Sequence, residues 1–459
     1  MRRSLVIAAV LAACGAPLAA QGSGVMTHSS CATAMGASGV AHPCEDGSAV
    51  LFNPGAIGMQ RLAIGAGWTG ITTSGDFTYD QTGVTVERPE RTSDVPFVFA
   101  TSRVGSRFAV GFGAFAPYGL RLEWPGNFSG RFTSYQSELK NVYYQPTVAF
   151  QAAPNISIGA GLDYVAADIT ISQRVDLATT PVPAALAPFA GATFGNFGVP
   201  VGTDFADVVL SGDATGIGFH LGGRAAFMNN RLSVGARYMS EVQLDYDGTA
   251  DFRRILTNAV LPNGTRVDDA TAAQFNEGAA LGDQGISTSL TLPAQAVVGL
   301  AFQVLPNLRV QGDYQWTGWD SFDQADVDFE NETAVDQTLV LDYQNTDTWR
   351  LGAEFRPVRA LALRAGFIYN TAAERDFSVS PLLPEAERNY YSVVAGYRFG
   401  NGLAFDVGYQ LIDQSDRRGR VAPRRPDMTD EELEALNVGV YSGDAHVLNF
   451  TVSYRPGGR

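Results

Sequence analysis

Two cysteines and two histidines lie close together near the start of the chain, and they are the residue types best suited to covalent or metal chemistry. Cys31 and Cys44 are the only cysteines beyond Cys14, which falls in a predicted targeting segment. Because the protein is predicted to be exported to an oxidising compartment, we expect these two to form a disulfide, which would stabilise the fold by about 3 kcal/mol. His28 and His42 leave a metal site as the alternative, although their spacing matches no standard zinc pattern.

Catalytic motifs are absent from the sequence. It contains no G-x-S-x-G and no H-E-x-x-H, and neither His220 nor His446 accompanies a nucleophile motif. We therefore predict that the protein is not an enzyme and that it binds neither a metal nor a cofactor.

An arginine beside a long apolar loop is the candidate for binding a carboxylate. Arg174 ends a predicted strand, and a guanidinium can hold a carboxylate through two parallel hydrogen bonds; an ordinary rim charge is the alternative. The loop at residues 177–208 contains the run PVPAALAPFAGATFGNFGVPVG. We expect it to pack against the loop at 253–285 and form a hydrophobic recess, unless it merely caps the fold. The predicted substrate-binding residues are Arg174, Phe189, Phe194, Phe197 and Val199.

The elements that must position these residues are strands. From Arg61 to the end, nearly every apolar run alternates with polar residues, and short turns alternate with long polar loops. No linker divides residues 61–459, and after the N-terminus there is no apolar run long enough for a spanning helix. The pattern predicts an all-β fold, a transmembrane antiparallel β-barrel of about 14 strands with its long loops outside; a soluble multi-sheet protein is the alternative. The side chains predicted to face lipid include Leu162, Phe112, Val407 and Phe450.

The N-terminus carries two further predicted segments. Residues 1–20 read as a signal peptide, with Arg2 and Arg3 before an apolar stretch and a small-residue cleavage site; a lipoprotein cut at Cys14 is the alternative. Residues 21–60 are rich in Gly, Ala and Ser and hold too few large apolar side chains for a core of their own. We predict that they form a plug, or hatch, ordered inside the barrel.

Charge and partners follow from the composition. A formal net charge of −15 argues against nucleic acid as a partner. We expect a monomer in contact with outer-membrane lipid and with a hydrophobic small molecule. Charged residues on the inward face of the later strands should pair with one another and with the hatch while facing water, and a dedicated carboxylate site among them is the alternative. They are Arg309, Asp313, Arg350, Glu354, Arg364, Arg398 and Asp406.

Several motifs resemble the FadL family of outer-membrane transporters for hydrophobic compounds. They occur in a consistent order over nearly the whole mature chain, and they comprise Phe52-Asn53-Pro54-Gly55, APYGLRLEW (116–124), SELKNVYYQPTVAFQ (137–151), SEVQLDYDG (240–248), LPAQAVVGLAF (292–302), Trp316-Thr317-Gly318-Trp319 and LPEAERNYYSVVAGYRFG (383–400). The resemblance implies a fourteen-stranded barrel closed by an N-terminal hatch with an Asn-Pro element. It also implies capture of long-chain fatty acids or aromatic hydrocarbons by outer loops, and release into the membrane through a kink in the third strand.

Carried onto this sequence, the resemblance assigns the hatch element to Asn53 and Pro54. Gly55 stands where the family usually has alanine, which we expect to loosen the hatch turn. The chain also departs from the family after Tyr454, where Pro456 and three further residues follow in place of a terminal aromatic.

The third strand itself predicts a break in the barrel wall. Pro117 cannot donate a backbone hydrogen bond, Gly113 faces inward, and Gly119 follows closely. We expect pairing to fail there, with Asn53 and Pro54 filling the gap from within. The predicted function is therefore outer-membrane transport of hydrophobic molecules, chiefly fatty acids, with lateral release; an aromatic hydrocarbon channel, a general porin and a surface receptor are the alternatives.

Overall fold

A computed structural model describes residues 24–59, 61–183, 192–331, 336–425 and 427–456. The predicted signal peptide and Phe189 lie outside the described residues. No helix in these ranges is long and apolar enough to cross a membrane.

The described chain is built mainly of antiparallel strands joined into one continuous sheet. The strands are β1 (Leu62–Tyr79), β2 (Thr85–Glu87), β3 (Arg91–Val104), β4 (Phe108–Glu123), β5 (Gln136–Ala153), β6 (Ile156–Asp176), β7 (Asp204–Phe227), β8 (Leu232–Met239), β9 (Val242–Arg254), β10 (Gln284–Leu292), β11 (Gln295–Leu305), β12 (Leu308–Thr317), β13 (Gln324–Phe329), β14 (Gln337–Val340), β15 (Thr346–Val358), β16 (Leu361–Asn370), β17 (Arg388–Arg398), β18 (Leu403–Arg420) and β19 (Asn437–Tyr454). The helices are α1 (Ser30–Ala34), α2 (Ala49–Phe52), α3 (Val267–Thr271) and α4 (Asp430–Ala435).

The sheet closes on itself because the last strand pairs with the first. Trp68 on β1 lies opposite Phe450 on β19, and β1 also pairs with β3. The wall has 14 strands, since β8 continues into β9 and β10 into β11, while β2, β13 and β14 are additions at the loop end. The predicted fourteen-stranded barrel is confirmed, and β4 is its third wall strand.

The pleat of each strand sends alternate side chains to opposite faces of the wall. Leu162 and Val407 are 59% and 56% exposed, and Phe112 and Phe450 are also exposed, although all four are large and apolar. A band of exposed apolar side chains around a closed barrel is the lipid-facing surface of an outer-membrane protein. The structure therefore confirms the predicted outward face.

The two ends of the barrel differ in the length of their connections. One end has tight turns, such as the turn between β7 and β8, where Met228, Asn229 and Asn230 all have positive φ. The other end carries the long loops at 177–203 and 255–283 and the loop between β16 and β17. This sorting is typical of outer-membrane barrels, in which the short turns face the periplasm.

Residues 24–59, termed the N-terminal segment below, lie within the barrel lumen. Ser30 N donates to Thr451 on β19, and Gly39 N donates to Asp313 on β12 at 2.7 Å, so the segment contacts well-separated strands of the wall. Cys31 and Cys44 form a disulfide with their Cα atoms 6.1 Å apart. The wall makes room for the segment at inward glycines; a Cβ on Gly366, for instance, would lie 2.1 Å from Gly36 N.

The inward charges of the later strands form a buried network. Arg364 bridges Glu354 at 2.8 Å and Asp406 at 2.5 Å, and Arg309 also contacts Glu354, at 3.2 Å. Arg398 contacts Glu45 of the N-terminal segment at 2.9 Å. Most of these charges therefore pair with one another or with the N-terminal segment as predicted. The expectation that they face water is wrong for most of them, because the segment covers them; Glu354 is only 4% exposed, although Arg398 keeps partial exposure.

Candidate functional site

Pairing between β3 and β4 stops partway along the wall. The ladder runs from Val104 opposite Phe108 to Val98 opposite Ala114, and beyond Ala114 β4 pairs only with β5. The β4–β5 register also slips between Phe115 and Tyr118, around the Pro117 ring, which has no N–H to donate. The result is a gap between β3 and β4, at the position where the sequence predicted a break.

The N-terminal segment covers this gap from inside. Val25 N donates to Pro117 O at 2.8 Å, and Ala116 N donates to His28 Nε2 at 3.0 Å. The His28 ring is buried and lies edge-on to Phe115, with their centroids 5.4 Å apart. Residues 25–28 therefore satisfy backbone groups that a neighbouring strand would otherwise pair.

Asn53 and Pro54 lie elsewhere, so the prediction that they fill the gap is wrong. Asn53 Nδ2 donates to Val40 O at 2.6 Å and to Gly223 O on β7 at 2.9 Å. Its Oδ1 accepts from Gly55 N at 2.9 Å. The Asn-Pro turn is thus fixed against β6 and β7, because its side-chain amide bonds the wall there and the gap lies at β3 and β4.

Gly55 does not loosen this turn, contrary to expectation. A Cβ at this position would lie 2.9 Å from Gly223 Cα and 3.0 Å from Ser157 O. Glycine therefore lets the segment approach the β6–β7 backbone more closely than alanine would.

The predicted gate glycines lie on either side of the register slip. Gly113 faces inward, where an added Cβ would lie 3.0 Å from the Phe99 ring and 3.2 Å from Val50 of the N-terminal segment. Gly119 pairs with Lys140 on β5, beyond the slip. Gly113 thus stands just below the gap and beside the segment that covers it.

A small cavity of about 60 Å³ lies in the lumen between the N-terminal segment and the loop joining β16 and β17. Its apolar lining includes Met26, Leu51, Phe52, Tyr118 and Trp319. Val25, His28 and Pro117 also line it, so residues 25–28 separate the cavity from the gap. The space is too small for a long acyl chain.

Two buried arginines open onto this cavity. Arg237 donates to Leu51 O at 2.7 Å and to Gln295, and Arg350 donates to Gln315 at 2.7 Å and approaches Ala37 O at 3.4 Å. Their exposed fractions are only 7% and 6%. Within the described ranges, no carboxylate oxygen lies within 4.0 Å of either guanidinium, in contrast to Arg364. Sequence reasoning missed Arg237, although its inward position next to outward Tyr238 was a usable signal.

Arg174 lies on β6 at the rim and already has a carboxylate partner. Its Nε is 3.5 Å from Asp207, which also accepts from Tyr135 at 2.8 Å and from Arg253 at 2.5 Å. A ligand carboxylate at Arg174 would have to compete with Asp207.

The two long loops pack on each other, as the sequence predicted. Their shared core contains Leu177, Phe194, Val199, Leu261 and Val267, and Phe197 packs against it. Phe194 is fully buried, so its side chain fills this core and does not line an open recess in this conformation.

An apolar recess lies beside the loop core, a few residues farther down the barrel. It has a volume of about 40 Å³ and a lining of Ile169, Ile171, Leu210, Tyr246, Ile286, Leu290, Val327 and Leu339, together with small residues. The β13–β14 hairpin forms one wall, and its inward fold left no clear signal in the sequence.

Comparisons with known proteins agree on the class of barrel. Over 325 residues the chain is 24% identical to outer membrane protein P1 of Haemophilus influenzae, a match covering 69% of this chain and 65% of P1, so it spans about two thirds of that relative's length. A FadL homologue of Pseudomonas aeruginosa superposes with a TM-score of 0.75 at 20% identity, covering 95% of this chain and 99% of that one. The Ralstonia pickettii toluene transporter TbuX gives 0.62 at 18% identity, covering 93% and 97%.

A family model matches nearly the whole chain and identifies its family. Residues 10–455 match the model described as outer membrane protein transport protein (OMPP1/FadL/TodX). The match includes nearly all of the barrel and the N-terminal segment. This chain therefore belongs to the OMPP1/FadL/TodX family of outer-membrane transport proteins, a family that carries hydrophobic compounds.

Proposed function

We propose that this protein takes up amphiphilic molecules with a long apolar tail and a carboxylate, chiefly long-chain fatty acids, and releases them sideways into the outer membrane between β3 and β4. The observation that carries the proposal is the pair Arg237 and Arg350, buried beside a partly apolar cavity without a carboxylate partner among the described residues. The carboxylate in the cavity lining, Glu385, lies 3.8 Å from Arg388. The N-terminal segment acts as the hatch.

The two arginines favour a carboxylate over a plain hydrocarbon. A buried charge is costly unless it is paired, and a guanidinium pairs best with a carboxylate through parallel hydrogen bonds. Asp313 contributes to the field at both arginines but accepts hydrogen bonds from Gly39 N and Val40 N, at 2.7 Å and 3.0 Å. A ligand carboxylate would supply the missing counter-charge, whereas toluene or an alkane would not.

The apolar surfaces favour a route that avoids water. Each CH₂ of an acyl chain gains roughly 0.8 kcal/mol on leaving water, so a fatty acid resists an aqueous pore but can move along an apolar track. The recess beside the loop core provides the first such surface, and Leu51, Phe52 and Trp319 provide the next at the cavity. Displacement of residues 25–28 would then join the cavity to the gap.

The test compares a long-chain carboxylate with a hydrocarbon of similar length that lacks the carboxylate. We would measure binding of oleate and of hexadecane to the purified barrel in detergent, and uptake of both into proteoliposomes. In Arg237→Met and Arg350→Met, oleate affinity should fall at least tenfold, since a charged hydrogen bond contributes about 1.5–3 kcal/mol. Hexadecane binding should not change. Arg253→Met, which removes an exposed rim arginine, is the matched control.

Three outcomes would contradict the proposal. Equal loss of oleate and hexadecane would mean that the arginines only hold the fold, and unchanged oleate binding would favour a hydrocarbon channel. A large steady ion conductance in planar bilayers would favour a general porin.

A further inference from the structure

A second, larger cavity lies at the periplasmic mouth of the barrel, on the opposite side of the N-terminal segment from the lumen cavity. Its volume is about 350 Å³. The turns that follow β3, β5 and β7 form its rim, and Gly55, Gly58 and Met59 of the N-terminal segment form its roof. The transport route proposed above does not pass through this cavity, since the gap between β3 and β4 begins beyond Ala114.

Three arginines line this cavity, and none of them has a carboxylate partner among the residues that the structure describes. Arg103 donates to Gly58 O at 2.5 Å, and Arg224 donates to Ala41 O at 2.9 Å and to Ser233 at 2.7 Å. In the ranges that the structure describes, neither of these nor Arg107 has a carboxylate oxygen within 4.0 Å. Glu45, the acidic residue in the lining, contacts Arg398 at 2.9 Å and Arg455 at 2.5 Å. The cavity therefore carries excess positive charge in a chain whose formal charge is −15.

Such a site selects anions with several oxygen acceptors. A guanidinium offers planar, paired N–H groups that match phosphate and carboxylate, and it loses less hydration than an ammonium on binding them. Three guanidinium groups around one cavity repel one another, whereas each of them can pair with a bound phosphate.

An apolar trough lies on the lipid-facing side of the same stretch of wall. Its volume is about 750 Å³, and Phe108, Ala149 and Phe150 belong to its lining as well as to that of the periplasmic cavity. The Phe108 and Phe150 ring centroids lie 5.2 Å apart, and Phe108 is 58% exposed at the start of β4. The two sites thus meet at the periplasmic rim of the wall.

Small outward residues create the trough. Ala160, Gly223 and Ala236 lie on three successive wall strands, β6, β7 and β8, and Gly223 lies directly opposite Ala236. Larger outward side chains flank them, namely Ile158, Leu221, Tyr238 and Val298. The trough is the space left where these small residues stand in place of large ones, and its surface is apolar. Such a surface suits an acyl chain.

We infer that the periplasmic cavity and the trough together bind one glycerophospholipid of the periplasmic leaflet. Its phosphate lies at the rim among Arg103, Arg107 and Arg224, and an acyl chain lies in the trough past Phe108 and Phe150. A lipid is favoured over a soluble anion because the trough is continuous with the lipid-facing surface, where acyl chains are already present. The site is independent of the transported ligand.

Native mass spectrometry of the full-length protein tests this inference. The barrel would be exchanged into phosphatidylcholine nanodiscs containing a minor fraction of phosphatidylglycerol, then released and weighed. We expect one retained phosphatidylglycerol, at least tenfold reduced in Arg107→Ala and in Arg224→Ala. Ala236→Trp, which fills the trough without removing charge, should reduce retention similarly. Arg359→Ala, in the turn between β15 and β16, is the matched control and should retain the lipid.

The outcomes separate a lipid from a soluble anion, with heat-modifiable mobility showing that each variant is folded. Loss of the retained phosphatidylglycerol in both the arginine variants and the trough variant supports the inference. Loss in the arginine variants alone, with displacement of the lipid by millimolar inorganic phosphate, overturns it in favour of a soluble anion. If the wild-type protein retains no more phosphatidylglycerol than Arg107→Ala, or if no variant changes that retention, the inference is overturned altogether.

Discussion

The backbone N–H of Ala116 on β4 donates to Nε2 of His28, 88 residues earlier in the chain, at 3.0 Å. A side chain of the N-terminal segment therefore takes the place of a strand partner at the point where β3 leaves β4. The bond requires an unprotonated Nε2, so the neutral ring carries its proton on Nδ1.

His28→Ala should weaken the cover over the gap. The change removes the acceptor of a buried N–H, which typically costs about 1–3 kcal/mol. We expect hydrogen exchange at Ala116 to speed up at least tenfold and oleate uptake to rise. His42→Ala, in the same segment but at its periplasmic side, is the control. Unchanged exchange at Ala116 would show that residues 25–28 are held mainly by other contacts.

Gly113→Leu should slow uptake without preventing assembly. The new side chain would crowd Phe99 and Val50 just below the gap and narrow the way out. We expect at least a tenfold lower rate of oleate uptake into proteoliposomes, with heat-modifiable mobility retained. Phe112→Leu, on the lipid-facing side of the same strand, should transport normally. Normal uptake by a folded Gly113→Leu barrel would rule out exit between β3 and β4.

Cys31→Ser should loosen the N-terminal segment and leave the wall intact. A loop of this length contributes about 3 kcal/mol through its disulfide. We expect faster protease cleavage between the two cysteine positions, while the barrel resists. The wild-type protein, denatured without reductant, should show no reactive thiol. Detection of two thiols after removal of the signal peptide would contradict the disulfide.

Leu162→Arg should destabilise the barrel by about 2–4 kcal/mol, since the residue faces hydrocarbon. Urea unfolding in lipid vesicles measures the loss. Ser157→Arg, on the same strand but facing the periplasmic cavity, should cost less. Gly159 is unsuitable for this comparison because a Cβ there would lie 2.4 Å from Pro54. Equal losses of stability in Ser157→Arg and Leu162→Arg would mean that the side chains of β6 have been assigned to the wrong faces of the wall.

The loop between β16 and β17 should loosen as the pH rises. Glu374 N donates to Glu385 at 3.3 Å and Glu385 N donates to Glu374 at 3.1 Å, so the two carboxyl groups hold the loop together. Burial raises the pKa of Glu374 to about 8, against the nearby charge of Arg420, and burial also raises the pKa of Glu385.

The folded loop therefore binds protons more tightly than the unfolded chain. Its stability is full below the unfolded pKa of about 4.5 and falls as the pH rises through about 8. Hydrogen exchange of residues 371–387, corrected for intrinsic rates, should be faster at pH 9 than at pH 6. Glu374→Gln should remove most of that difference. A pH-independent loop would contradict the assignment.

The alternation of side chains made it possible to predict the wall from the sequence. The residues that cover the gap could not be predicted in this way. Leu162 and Val407 could be oriented because a strand has a period of two, and Pro117 marked a break because it lacks an N–H. Val25 and His28 lie in a segment without periodicity and meet β4 across some 90 residues. No local rule connects them. Asn53 was the better candidate from sequence because the family resemblance and its rigid Asn-Pro turn both pointed to it.

The position of the disulfide decides how much of the hatch can move. Residues 25–28 precede Cys31, while the stretch from Cys31 to Met59 is bound to the wall through Asp313, Arg237 and Gly223. Opening the way to the gap thus displaces a short arm and leaves the seal across the bore in place. Each molecule would enter the membrane while the barrel remains closed to ions, so uptake should be electrically silent and should leave the outer membrane's resistance to hydrophilic antibiotics unchanged.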